Sequence, residues 1–270
     1  MNSQGPIIAI PPGLSAVVTG AGSGVGAAVA RALGQNGVQV GLVGRREAHL
    51  AQAAAAVRQA GGHAECFVCD VTQPDAVERM CAEVTERFGT VQVLVNCAGI
   101  HTELVPIAES TPAAWIQTMH TNVTGTYLAC RAFLGGMLAK GWGRIINVSS
   151  AAALAEPGGV ASAYQLSKVT VNYFTRQLAA ELHGSGVTAN ALHPGEVKTE
   201  MWASIKADAA ARSGPGRDAL HWAGWVEDTG GDPPEKAAEV VLSLLSSAAD
   251  GINGRFLWIR DGLQPPKPSW

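Results

Sequence analysis

Thr19-Gly20-Ala21-Gly22-Ser23-Gly24-Val25-Gly26 is the stretch on which the reading of this chain turns. Ahead of it, Ala16-Val17-Val18 has the character of a short buried strand. Behind it, Ala27-Ala28-Val29-Ala30-Arg31-Ala32-Leu33 is a run of good helix formers. A strand, a glycine-dense turn and a helix start together make an anion site. The first N–H groups of the helix have no partners within it, and its dipole adds partial positive charge there. Glycine also marks ordinary turns, so the strand–turn–helix context carries the nucleotide reading. Two registers fit: Gly22-x-Gly24-x-x-Ala27 matches the dinucleotide fingerprint, and Thr19-Gly20-x-x-x-Gly24-x-Gly26 is the alternative spacing.

Beyond the turn, apolar runs alternate with helical patterns. Strands are expected at 38–43, 63–69, 91–95, 144–148, 187–192 and 256–259. Helices are expected at 47–60, from Thr72 (as N-cap) onward, from Thr111-Pro112 to about 140, at 163–183, and after Asp232-Pro233-Pro234. The strands are too uniformly apolar for a sheet with one wet face. They predict an α/β fold with a doubly wound seven-stranded parallel sheet, helices on both faces and strand order 3-2-1-4-5-6 with the seventh beyond. No linker divides the 270 residues, so residues 1–270 form one domain. The stretch 196–231 has weak periodicity and reads as a long loop closing over a substrate. It holds Trp202, Trp222, Trp225, Arg212 and Arg217.

The chain is 47% hydrophobic with net charge −3, so it can bury a large core and has no basic stripe for nucleic acid. No apolar run is long enough to span a bilayer. The first 13 residues lack Lys and Arg and are broken by Pro6, Pro11 and Pro12, which argues against a secretory signal. Five cysteines, an odd number, suit a reducing cytoplasm. Cys66-x-x-Cys69 lies in an expected strand, where residues three apart face opposite sides, so it reads as one buried thiol on each face. The seven His show no metal-ligand spacing, and no metal is expected.

In such a sheet ligands bind beyond the carboxyl ends of the strands. The second strand ends at Gly44-Arg45-Arg46, where an acid would have accepted a ribose 2′-OH. A guanidinium instead matches a 2′-phosphate, which predicts NADP(H) over the alternative NAD(H). Of the two, Arg46 reads as the more dispensable. Tyr164 and Lys168 lie four apart on a helix and share one face. A phenol titrates near 10, and a neighbouring cation lowers that value. Two to three units take roughly 3–4 kcal/mol, which a close ammonium and a nicotinamide's positive charge could jointly supply. Ser149 and Ser150 end the fifth strand. A hydroxyl there can hold a carbonyl, and alternation along the strand favours Ser150. Asn122 sits in the middle of a helix, which suggests either a bulge with a bound water or a tolerated polar residue. His101, Glu103 and Glu156 are further candidates for the cleft wall.

From about residue 12 to 262 the chain resembles the short-chain dehydrogenases/reductases. The matching residues are Thr19 to Gly26, Asp70, Asn96-x-Ala98-Gly99, Asn122, Asn147-Val148-Ser149-Ser150, Tyr164-x-x-x-Lys168, and Pro194-Gly195 with Val197 and Thr199. The resemblance implies an oxidoreductase transferring a hydride between a dinucleotide and a carbonyl or secondary alcohol. Tyr164 would be the acid/base, and Lys168 would hold the nicotinamide ribose and depress the phenol. Ser150 would position the carbonyl, and Asn122 would anchor a water. Gly20, Ser23, Gly24, Val25 and Gly26 would hold the diphosphate. Asp70 and Val71 would meet the adenine, and Asn96, Ala98 and Gly99 would border the adenosine ribose. Pro194, Gly195, Val197 and Thr199 would line the nicotinamide. A homotetramer is implied, built by pairing the helices around Asn122 and Tyr164, with a homodimer as the alternative. Two departures stand out: Cys97 where an Asn is frequent, and a loop between Ser150 and Tyr164 about one residue longer than is common. Other readings are an NAD(H)-linked dehydrogenase of the same kind and a non-catalytic dinucleotide sensor. The sensor would not need Tyr164, Lys168, Ser150 and Asn122 together. An extended sugar-nucleotide epimerase would need different glycine spacing.

Overall fold

In the computed structural model, residues 9–212, 216 and 219–263 are described; Arg217 and most of the proline-broken amino-terminal stretch lie outside them. The seven strands are β1 (Ser15–Thr19), β2 (Gln39–Gly44), β3 (His63–Val68), β4 (Val93–Asn96), β5 (Gly143–Val148), β6 (Val187–His193) and β7 (Phe256–Trp258). They form one sheet in the order β3-β2-β1-β4-β5-β6-β7, with every pair parallel, as expected.

Alternation along β1 shows how the layers are set. Ala16 and Val18 face one side, into a core built with Leu33 of α1 (Gly24–Gln35), Leu50 of α2 (Glu47–Gln59) and Val241 of α9 (Glu235–Leu244). Val17 faces the other side, among Val77 of α3 (Pro74–Phe88), Phe133 of α5 (Gly125–Lys140) and Leu178 of α6 (Ser162–Glu181). Cys66 packs on the first core and Cys69 belongs to the second, so the two thiols do face opposite ways.

Three local expectations need correction. The N-cap of α3 is Gln73 rather than Thr72: Pro74 at the first helical position holds the residue before it extended, at φ −102° and ψ 109°. The Thr72 N–H and hydroxyl donate instead to Asp70 Oδ1, at 3.0 and 2.8 Å. The long helix from Pro112 is α4 (Pro112–Met119), then a π-helical turn (His120–Thr124) containing Asn122, then α5. The stretch read as a long loop carries two helices, α7 (Glu200–Ala210) and α8 (Ala219–Thr229). They pack on each other through Trp202, whose indole N–H donates to the Ala223 carbonyl at 3.3 Å.

Candidate active site

The carboxyl ends of β1 to β6 open on one cleft of about 920 Å³, within the range of small-molecule and cofactor sites. Its floor at one end is the glycine turn. Gly20 has φ +65°, and a Cβ there would lie 2.8 Å from the Ala98 nitrogen. A Cβ on Gly26 would lie 2.4 Å from the Gly20 carbonyl oxygen. Neither position admits a side chain, which brings the main chain itself to the cleft surface. Ser23 is the N-cap of α1 but makes no side-chain capping bond, and the first turn carries no acid. The opening N–H groups of α1 are thus left for an anion in the cleft. This geometry fits the diphosphate of a dinucleotide.

Gly20, Ser23, Gly24, Val25, Gly26, Arg45, Arg46, Asp70, Val71, Ala98 and Gly99 line one part of the cleft. Ser150, Tyr164, Lys168, Pro194, Gly195, Val197 and Thr199 line the rest. Asn96 is not part of the wall. It lies buried beneath it, its amide donating to Asn147 Oδ1 at 2.9 Å to tie β4 to β5. Cys97 does line the cleft, but burial pushes its thiol up to about 12, so it serves as a small apolar filler.

Arg46, read as the more dispensable arginine, is the one the structure engages. Its guanidinium reaches Ser23 Oγ at 3.3 Å and Glu200 Oε2 at 2.8 Å. His49 lies 3.6 Å from the same carboxylate. The hydrogen bond from Arg46 holds the Glu200 carboxyl below its usual range. The start of α7 therefore rests on the glycine turn, with the Thr199 methyl 3.0 Å from where a Gly24 Cβ would be.

Tyr164 and Lys168 stand one turn apart on α6, the ammonium 5.6 Å from the ring centroid. The helix is launched by Ala161 in the left-handed region, at φ +61°. Lys168 is buried, its Nζ donating to the Val148 carbonyl at 2.9 Å, and burial brings its pKa down to about 8. The expected depression of the phenol is not found among the protein's own groups. Burial pushes Tyr164 up, a hydrogen bond with Ser150 pulls it down, and the Glu196 charge raises it further. Desolvation of the buried phenol outweighs its neighbours. Of the two serines, Ser150 stands beside the phenol, whereas buried Ser149 turns its Oγ to the Lys168 carbonyl at 3.5 Å.

Asn122 lies just behind the cleft wall. Its Oδ1 accepts from the Ile100 N–H at 2.8 Å; its amide donates to the Ile100 carbonyl at 3.0 Å and to Ser167 Oγ at 2.9 Å. Ser167 Oγ in turn donates to the Tyr164 carbonyl at 2.7 Å. Both amide hydrogens are used, so the side chain clamps the loop after β4 to α6. The expected water anchor would need another group of this residue.

Several cleft residues escaped the reading of the sequence. Glu196 follows Pro194-Gly195 at the end of β6 and meets the Trp222 indole N–H at 2.8 Å. His193 accepts the Ala151 N–H on Nδ1 at 3.1 Å. Both lie at a strand end, the signal that should have found them. His101 does reach the wall, its ring 5.6 Å from that of Tyr164. Glu103 does not: its carboxylate accepts from the N–H and hydroxyl of Thr111, at 3.1 Å each, at the start of α4. Glu156 is exposed outside the wall. Trp202 and Trp222 line the cleft, Trp225 is exposed, and Arg212 pairs with Asp208 at 2.8 Å.

The comparisons agree with this geometry. A family model described as short chain dehydrogenase matches residues 15–210. A galactitol 2-dehydrogenase (L-tagatose-forming) of Cereibacter sphaeroides is 38% identical over 255 residues, covering 93% of this chain and 94% of that protein. An actinorhodin polyketide ketoreductase variant solved with NADPH superposes with a TM-score of 0.83 at 34% identity, over 91% of this chain and 95% of that one. An NAD+-bound xylitol dehydrogenase gives the same TM-score at 28% identity, over 92% and 98%.

Proposed function

Since the chain belongs to the short-chain dehydrogenases/reductases, NAD(P)-dependent oxidoreductases, we propose that it interconverts a carbonyl and a secondary alcohol, with Tyr164 as proton donor and acceptor. The observation that carries this reading is the meeting of the Tyr164 phenol, the Ser150 hydroxyl and the Lys168 ammonium in one cleft with a bare main-chain anion site. The dinucleotide supplies or takes the hydride when bound. Gly20, Ser23, Gly24, Val25 and Gly26 hold its diphosphate, and Asp70, Val71, Ala98 and Gly99 its adenosine. Pro194, Gly195, Val197 and Thr199 shape the nicotinamide end. Tyr164 is held protonated by burial and gives its Oη proton to the carbonyl oxygen during reduction. Ser150 fixes that oxygen, and the Lys168 ammonium stabilises charge left on the phenolate. Asn122 acts as a positioning residue through Ser167 and α6.

NADP(H) is the preferred cofactor, supported by two arginines and no acid at the end of β2. NAD(H) is the second reading, favoured by the Glu200 carboxylate that already engages Arg46. The stretch 196–231 acts as the lid. Exposed Tyr127 on α5 with Leu166, Val169 and Tyr173 on α6 supports pairing of these helices in a homotetramer or homodimer. No helix among the described residues is long and apolar enough to cross a membrane, and all five cysteines are free, which supports a reducing cytoplasmic setting.

The test is Tyr164→Phe, with thermal shift by NADPH and by NADH measured first. Turnover of a competent ketone falls about 100-fold or more, while the NADPH-induced shift persists. Activity within about tenfold of wild type would remove Tyr164 from the proton transfer. NADPH binding without turnover of any carbonyl by wild type would favour the sensor.

A further inference from the structure

Glu196 is a carboxylate in the cleft that the proton transfer does not use. Its backbone is pinned on both sides: its N–H donates to Asp232 Oδ2 at 3.1 Å, and its carbonyl accepts from the Asp232 N–H at 2.9 Å. Trp222 Nε1–H donates to Oε2 at 2.8 Å. Oε1 faces His193 Nε2 at 3.7 Å, too far for a good hydrogen bond. Because His193 Nδ1 accepts from the Ala151 N–H, the ring's proton sits on Nε2 and the ring is neutral. Among the described residues, Glu196 forms no ion pair with a Lys or Arg.

The carboxylate therefore has one firm neutral donor, one oxygen short of a partner, and a side chain still 28% exposed to the cleft it lines. It stands on the reacting side: His193, which it faces, accepts from the N–H of Ala151, the residue that follows Ser150. A half-buried carboxylate of this kind is completed by a hydrogen-bond donor. Lys168 already places a buried cation in the same cleft, which opposes a substrate ammonium and leaves a hydroxyl as the fitting donor. Trp202 and Trp222 add flat apolar wall for the carbon skeleton.

We propose that Glu196 accepts a hydrogen bond from a substrate hydroxyl, selecting hydroxy ketones and the matching diols over ketones and alcohols without that group. The inference rests on the oxidoreductase reading above and names its substrate class.

Matched pairs test it: cyclohexanone against 2-hydroxycyclohexanone, and butan-2-one against 3-hydroxybutan-2-one, with wild type, Glu196→Gln and Glu196→Ala. In wild type the hydroxylated member of each pair has the higher kcat/KM, by roughly 30-fold or more. The ratio falls at least about tenfold in Glu196→Ala, and less in Glu196→Gln, whose carbonyl still accepts. A second readout needs no turnover. Cyclohexane-1,2-diol raises the melting temperature of the wild-type NADPH complex more than cyclohexanol does, and Glu196→Ala loses that difference. Melting of each variant with NADPH alone checks that it is folded. A ratio that is the same in all three proteins, or a wild-type preference for the unsubstituted ketone, overturns the inference and leaves the oxidoreductase reading standing. Absence of turnover with any carbonyl in wild type overturns both.

Discussion

The two ends of the cleft are made of different material. At the glycine end the surface is main chain: Gly20 and Gly26 exclude side chains by contacts of 2.8 and 2.4 Å, and the N–H groups of α1 form the site. At the substrate end the surface is side chain: Trp202, Trp222, Glu196 and His193 are brought together from β6, its following loop, α7 and α8. A main-chain site serves one fixed ligand shape, because its floor at Gly20 and Gly26 leaves no room for a side chain to alter it. A side-chain site changes specificity by substitution while the sheet beneath it stays the same.

The comparison breaks most easily at Gly20. Gly20→Ala meets a left-handed φ, costing about 1–2 kcal/mol, and a backbone contact whose relief costs about 1–3 kcal/mol. A fall in unfolding free energy of about 2–5 kcal/mol, together with loss of the NADPH-induced thermal shift, is expected in urea titrations. If this variant is as stable as Trp222→Phe, the two ends are not built differently.

The next test lies at the side-chain end. Burial takes His193 from its ordinary value of about 6.5 down to about 4. The folded chain keeps the ring neutral while the unfolded chain protonates it. The stabilisation is thus complete above pH 6.5 and lost as pH falls to about 4, roughly 3 kcal/mol in all. His193→Asn, which can still accept the Ala151 N–H, should lose less stability between pH 7 and pH 4 than wild type does. Equal losses would mean that other groups carry the acid sensitivity.

The smallest effect joins the two regions. Arg46 and Glu200 are both about half exposed, and such pairs contribute about 0–1 kcal/mol. Glu200→Gln frees Arg46 for a 2′-phosphate, so NADPH binds up to about fivefold tighter while NADH affinity stays level. A gain shared by both cofactors would place the effect in lid movement instead.

The same contrast explains what was legible in the sequence. The strand order, the two-sided core and the glycine turn were readable because each rests on local pattern: alternation in β1, uniform apolar strands, residues missing their side chains. Tyr164 and Lys168 were readable because helical spacing alone puts them together. Asn122 signalled its turn by being a weak helix former in the middle of a helix. The helices α7 and α8 were hidden because the described parts of their buried faces are few residues, Trp202 and Ala209 on one, Ala223 and Val226 on the other. Their amphipathic stripe is short and rich in Ala. Glu196 and Arg46 take their meaning from partners 26 and 154 residues away, which no window along the chain contains. The rise of the Tyr164 pKa among the protein's own groups was not legible for a related reason: the desolvation that pushes the phenol up comes from the whole fold.

The wide turn at His120–Thr124 has a consequence for how this chain can vary over generations. An α-helix advances about 100° per residue, so winding these same residues into a regular helix, with none deleted, would rotate everything after it by roughly that angle. Leu128, Phe133 and Met137 would swing off the sheet, and exposed Tyr127 would be carried around with them. The extra residue and the wide turn come as a pair: the chain keeps both or loses both.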